Sequence, residues 1–581
     1  MSGVLSRLAG RLRTGDLVTG ISRLLALACL VGLVGMLPWL SGKDPALTIL
    51  RATSSDREPT PEVLASIRKS IGIDGGPLHV IGHWLAGVAR GDLGRSWVSG
   101  ADVGPDAVDA FGVSLSLMAA ALGVGVVVAA ALVLPALRDG LRGRPRPRGG
   151  AASAVLISLP EYLLAPILML VLAVYLRILP PFGWGSPEKV IMPALSLGLP
   201  TGGYLGGLVS DAVTATFSER WVATWSTAGI RGRTLAGAVL RRALAPLTGQ
   251  VALVVVALTG GAVAVEKIFA IPGLGRELLD AASAQDVPAL QAQILLLLAL
   301  ALTTGVIAGA VRRLLMGRAA GAGGLTAPPP VEHSGRAARV IAVSGAALLA
   351  LMMAVGIRRD PYAVVADKLA QPSAALPLGA DSLGRDVLAR VAHGAVSTVS
   401  GAVIVTVVCF VIAMLVGLAP RAATGFIEVA NAAPPILAGL IVAGVSGPSA
   451  TGAAVAVAGV GWAPLASHAA GLVAENRQRP DVLLAPVLGE GRVRITLTRV
   501  LPAVVGPLAR HAALRLPGKA LALAALGFLG LGAQSPAPEW GLVLSDALPY
   551  IERAPWAVAT PAAALVILSI TSVAASRSMR R

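Results

Sequence analysis

Long apolar runs alternate with short, arginine-bearing polar breaks along almost the whole chain. A helix rises 1.5 Å per residue, so about 20 apolar residues cross roughly 30 Å of hydrocarbon. By that measure the pattern predicts twelve membrane spans, near 21–40, 112–135, 153–176, 192–213, 247–266, 288–311, 338–357, 398–419, 426–446, 451–473, 501–525 and 555–575. The first run has no small-residue cleavage site and reads as a retained span rather than a removed signal peptide. The expected fold class is therefore all-α, a polytopic membrane protein.

The order of the runs repeats. Between the sixth and seventh spans, small residues and the three prolines of TAPPPVEHSG mark an exposed tether, which divides the chain into 1–315, a linker at 316–337, and 338–581. Each half holds six spans, and an even number of spans separates matching features, so the halves run parallel. GDLGRS (91–96) stands before the second span and DSLGRDV (381–387) before the eighth. EKIFAIPGLGRELL (266–279) and GFLGLGAQSPAPEWG (527–541) each carry an aromatic shortly before Gly-Leu-Gly. Each half also has a polar segment of about 30 residues between its fourth and fifth spans, longer than a connector requires.

Composition excludes a single water-soluble core: 55% of the 581 residues are hydrophobic and 14% charged. The net charge of +17 is a topology signal more than a nucleic-acid footprint, because arginine is concentrated in every second loop. Arg7, Arg11 and Arg13 open the chain, Arg138 and Arg142 follow the second span, Arg231 and Arg233 the fourth, and Arg577, Arg580 and Arg581 close it. Basic residues are held on the cytoplasmic side, so both termini are expected there. The loop 41–111 faces the other side, and Thr60, Pro61 and Glu62 predict a helix start within it.

Chemistry-bearing clusters are few. Cys29 and Cys409 sit in apolar runs and read as small buried hydrophobes, and only His79 and His83 have ligand-like spacing, without a third ligand. No nucleophile and base come together for an enzyme. None of the lysines follows the glycine spacing of a phosphate-cradling loop, so this chain is not expected to bind or hydrolyse ATP.

The two polar segments are the informative part. SERWVATWSTAGIRGR reaches Gly229, and RPDVLLAPVLGEGRVR reaches Gly489; each then turns basic before the next span. That arrangement suits a short surface helix ended by a glycine with positive φ, with small side chains that let another protein approach. An ordinary amphipathic connector is the other reading.

Together these motifs resemble two permease subunits of the dipeptide, oligopeptide and nickel class of ATP-binding cassette (ABC) importers, fused end to end. The first half is similar through RGDLGRS, LRILPPFGWG, MPALSLGLP, the bend ending at Gly229, and VEKIFAIPGLGRELLDAASAQDVPALQ; the second through LPLGADSLGRDVLARVAHGA, the bend at Gly489, GFLGLGAQSPAPEWG and APWAVATP. The resemblance implies a type I importer permease in the bacterial cytoplasmic membrane. It implies two separate ATPase domains or subunits that carry ATP and Mg, and an extracytoplasmic solute-binding protein; no cofactor is expected on this chain. It also implies ATPase-coupling bends at Glu219, Trp221, Val222, Ala223, Ala228 and Gly229, and at Val482, Ala485, Leu488 and Gly489. Outer-face loops would include Gly94, Arg95, Pro272, Gly273 and Gly275 in the first half, and Gly384, Arg385, Gly530, Gly532 and Trp540 in the second. Arg220, Trp225 and Ser226 depart from the family's bend, Pro486 would break the second docking helix, and Leu523 stands where the family has Glu.

Charges inside spans are costly and mark candidate pathway positions: Lys519, Asp211 and Glu428. An ion-coupled secondary transporter with two six-helix halves is the alternative function, though it would be expected to carry more ionisable residues at mid-span.

Overall fold

The computed structural model describes residues 2–40, 46–47, 49–50, 58–70, 76–145, 150–316 and 335–578. The expected linker therefore lies, for 317–334, outside the described residues. Among the described residues the chain is helical, with isolated bridges and no strand. The first half contains α1 (Ser2–Gly35), α2 (Val103–Leu141), α3 (Gly150–Ile157), α4 (Glu161–Leu168), α5 (Pro187–Phe217), α6 (Arg220–Thr227), α7 (Gly232–Leu244), α8 (Thr248–Phe269), α9 (Leu274–Ala284) and α10 (Val287–Met316). The second contains α11 (Gly335–Gly356), α12 (Val387–Gly417), α13 (Pro420–Ala432), α14 (Pro435–Ser446), α15 (Ala450–Gly461), α16 (Ala463–Arg477), α17 (Pro480–Leu484), α18 (Leu501–Leu529), α19 (Trp540–Ala547) and α20 (Pro555–Ser578). The helix expected after Thr60 is present as Pro61–Ser70.

Among the described residues nine helices are long and apolar enough to cross a membrane, or ten if the bent pair α13 and α14 is one span. The expected spans at 153–176 and 426–446 are not single rods. Both break at proline: α4 starts after Pro160, and α13 and α14 meet at 88° around Ala433 and Pro434. A residue before proline is pushed out of the α region, and Ala433 accordingly has φ −92° and ψ 115°. The expected span at 192–213 lies within α5, a continuous helix of 31 residues whose glycines, serines and threonines keep its hydropathy low.

Those glycines are a packing device. Gly198, Gly202 and Gly206 recur one turn apart, and a Cβ at each would collide with α2, at Val124, Val128 and Leu132 in turn. Small residues at this spacing let two backbones approach closely where lipid supplies no hydrophobic drive to associate.

The chain divides into two compact units, each drawing on both halves of the sequence: 1–105, 280–294 and 396–535 form one, and 106–279, 295–395 and 536–581 the other. In the first unit α1 packs on α13 of the second half. Ser22 donates to the Ala422 carbonyl (2.7 Å) and accepts from the Gly425 N–H (3.0 Å), and Arg23 forms a paired contact with Glu428 at 2.7 Å. In the second unit α11 packs on α20, with Thr571 filling the space beside Gly345. Cys409 is buried as expected, whereas Cys29 is exposed on α1.

Candidate functional site

The two polar segments take related forms. In the first, α6 is anchored by Val222, which packs with Val213, Phe217, Leu235 and Val239 in a buried cluster against which Trp221 also lies. Glu219 precedes the helix; it accepts from the Trp221 indole N–H (2.6 Å) and pairs with Arg242 of α7 (3.1 Å). Trp221 and Trp225 meet edge to face at 5.3 Å. Ala223 and Ala228 are exposed, and Gly229 ends the helix at φ +82°.

The second segment is shorter in helix. Pro486 stops α17 at Leu484, as the sequence suggests, and turns carry the chain to Gly489 at φ +81°. Val482 and Ala485 point inward, whereas Leu483, Leu484, Val487 and Leu488 are exposed. Arg499 clamps the turn through Glu490 (2.5 and 3.0 Å) and the Asp481 carbonyl (3.1 Å), and its guanidinium holds the Glu490 carboxyl below the ordinary value. Of the residues singled out in the bends, Val222, Val482 and Ala485 thus act as anchors, and Ala223, Ala228 and Leu488 form outward surface.

From each bend a nearly continuous helix runs into the next span: Gly232–Phe269 and Arg492–Leu529, 38 residues apiece. Each ends in a left-handed residue, Ala270 at φ +55° and Gly530 at φ +83°. Gly229 and Gly489 are 260 positions apart, and so are Ala270 and Gly530.

That register changes the reading of the Gly-Leu-Gly repeats. Gly530 is the cap of α18, so its counterpart is Ala270 and not Gly273. In the first half Pro272 is exposed, and Gly273 and Gly275 instead let the chain fold onto Glu266. Glu266 is fully buried; it accepts from Ser114 Oγ (2.5 Å) and the Arg276 N–H (3.0 Å), while Ser114 accepts from the Leu274 N–H (2.8 Å). The start of α9 is therefore fixed by a carboxylate on α8. In the second half the interval of 260 puts the buried Leu526, not the expected Leu523, opposite that acid, and Glu539 caps α19 through the N–H groups of Gly541 and Leu542, each 3.0 Å away. Sequence reading missed Glu539; its signal was an acid immediately before the Trp-Gly that opens a helix. Trp540 is a buried anchor whose indole donates to the Val391 carbonyl (2.7 Å). Gly532 lies against the backbone of Gly527.

The Leu-Gly-Arg repeats share a turn and differ in burial. Gly94 and Gly384 have φ +93° and +81°, and Asp92 and Asp381 accept from the N–H two residues on, at 2.9 Å in both. Arg95 is 76% exposed and pairs with Asp102, and the first turn is tied to α10 by Asp286, which accepts from Ser96 and the Trp97 N–H. Arg385 is only 5% exposed; Asp381 binds it and Arg390 at 2.7 Å, and the neighbouring buried Asp386 pairs with the half-buried Arg359. Burial opposes ionisation of Asp381, but the N–H groups of Arg385 and Leu383, the Arg385 guanidinium and Arg390 outweigh it and hold the carboxyl below its ordinary value.

The three charges expected along a pathway separate in role. Glu428 is taken by Arg23, Asp211 is partly buried on α5, and Lys519 is buried on α18 beside Cys409 and Gly461.

A family model described as "Binding-protein-dependent transport system inner membrane component" matches residues 150–320 and again 406–580, together more than half of the chain. The chain is 36% identical to the peptide transport system permease protein SapC of Escherichia coli O6:H1, over 33% of this chain and 67% of that one. It is 32% identical to the glutathione transport system permease protein GsiC of Salmonella choleraesuis, over 50% and 90%, and 28% identical to the metal-staphylopine import system permease protein CntB of Staphylococcus aureus, over 48% and 89%.

Proposed function

We infer the function of this chain from the family to which it belongs, the binding-protein-dependent transport system inner membrane components. It is a fused permease of an ABC importer, and on our reading it supplies both halves of a passage for a peptide or a related small solute. Relatives named for peptides, glutathione and a metal chelate support that substrate class. Separate ATPase subunits, carrying ATP and Mg, dock on the bends, and an extracytoplasmic solute-binding protein delivers cargo. The chain crosses the bacterial cytoplasmic membrane many times, with both termini inside.

The observation that carries this reading is the repeated lever: bend glycine, 38-residue helix and left-handed cap at a constant interval. A 38-residue helix is about 57 Å long at 1.5 Å per residue, well beyond the hydrocarbon thickness, so each bend stands clear of the bilayer. Force applied to α6 or to the turn after α17 passes directly into a stiff rod. Each rod ends in a residue with unusual φ, and the short helix that follows it in sequence starts at a carboxylate, Glu266 or Glu539. The exposed Leu483, Leu484, Val487 and Leu488 give an ATPase an apolar surface to bury. The test is affinity purification of the chain from its own cells: a soluble ATPase carrying a phosphate-cradling loop is expected to come with it in stoichiometric amount.

A further inference from the structure

α18 carries three basic residues one turn apart, His511, Arg515 and Lys519. They share a face: the Arg515 Nε donates to His511 Nε2 (3.1 Å), and His468 of α16 stacks on His511 at 4.1 Å. The column grades from exposed to enclosed. Arg515 is exposed, the two histidines are half-buried, and Lys519 is 5% exposed. Lys519 lies ten residues before the end of α18, about 15 Å at 1.5 Å per residue, hence near the middle of a 30 Å core.

No acid answers this charge. α12, α14, α15 and α18 contain no Asp or Glu, and α16 has only Glu475, in its last turn. Glu428 of α13 is held by Arg23. Among the described residues Lys519 has no hydrogen bond or ion pair; its neighbours are Cys409 and Gly461, where a Cβ would stand 3.5 Å from the Lys519 Cε. An ammonium at mid-span without a counter-charge costs several kcal/mol, and such a residue marks a functional position.

We propose that this column binds the carboxylate of the cargo: Arg515 and the stacked histidines receive it, and Lys519 is the enclosed end that holds it. The ligand class is a small carboxylate-bearing solute such as a peptide with a free C-terminus. The site rests on the importer reading, and it is absent from the first half, where the interval of 260 puts Val251, Val255 and Thr259 of α8 at the three positions.

The test uses the purified full chain in detergent, without ATPase. Trialanine is expected to raise the unfolding midpoint, on the order of 2 °C at saturation, and trialanine amide is not. Lys519→Met abolishes the shift and Lys519→Arg retains it. Arg515→Gln, at an exposed position, weakens it without disturbing buried packing. An equal shift from the amide, an unchanged shift in Lys519→Met, or a shift from phosphatidylglycerol or inorganic phosphate with none from trialanine overturns the assignment. Loss of this shift while ATP-driven import of trialanine proceeds removes the site and leaves the importer standing. A carboxylate-specific shift in a chain that never imports does the reverse.

Discussion

Glu266 and Glu539 hold the starts of α9 and α19 from different places in their repeats, one across from the preceding long helix and one from the cap position itself. Removing a buried acceptor leaves its donors unpaired, which costs about 1–3 kcal/mol. Glu266→Ala strands the Ser114 hydroxyl and the Arg276 N–H and is expected to lower the unfolding midpoint measurably, more than Glu539→Ala, whose cap is worth about 1 kcal/mol. Asp381 makes a pH-dependent contribution. Its carboxyl is held below the ordinary value in the folded chain, so the stability it adds is fully present above about pH 4 and drains away as pH falls through the folded value. Asp381→Asn leaves Arg385 and Arg390 buried without their shared partner, a loss of about 3–5 kcal/mol at neutral pH. The gap between wild type and variant, followed by thermal unfolding, is expected to be flat above pH 5 and to narrow below pH 4.

At the scale of elements, the bends put a glycine at φ near +80° where a β-branched side chain is strained by about 1–3 kcal/mol. Gly229→Val and Gly489→Val are expected to leave the chain inserted while lowering substrate-stimulated ATP hydrolysis several-fold; the second bend, whose helix is only five residues, is expected to suffer more. Much of this was legible beforehand. The apolar runs, the repeat of Leu-Gly-Arg, the stop at Pro486 and the bend glycines all follow from local rules that need only neighbours in sequence. The breaks at Pro160 and Pro434 were legible too, but hydropathy counts length and ignores direction, so each broken pair looked like one span. What sequence could not show was register in space: two Gly-Leu-Gly strings look equivalent, yet one is a helix cap and the other a seat for Glu266. The burial of Arg385 in its loop was not legible, because the sequence does not reveal that Asp381 holds it together with Arg390 in one buried cluster.

Across the whole molecule, contacts do not follow the boundary between the sequence halves. α1 of the first half is fastened to α13 of the second by Ser22, Gly425, Arg23 and Glu428. Neither half is expected to be stable alone. Expressed separately, 1–315 and 338–581 should each be degraded or aggregate, and co-expression should restore a chain pair that purifies together in detergent. Within the first half the seam between α2 and α5 is as tight, since a Cβ at Gly202 would already collide with Val128 and Gly125 of α2. The central claim, that this fused permease is moved by a separate motor acting on its bends, is tested most directly by uptake of trialanine into proteoliposomes containing the chain with and without its copurified ATPase. The expected result is accumulation only when ATPase, ATP and Mg are all present, abolished by Gly489→Val. Full-rate accumulation by the chain alone under an imposed proton gradient would contradict it.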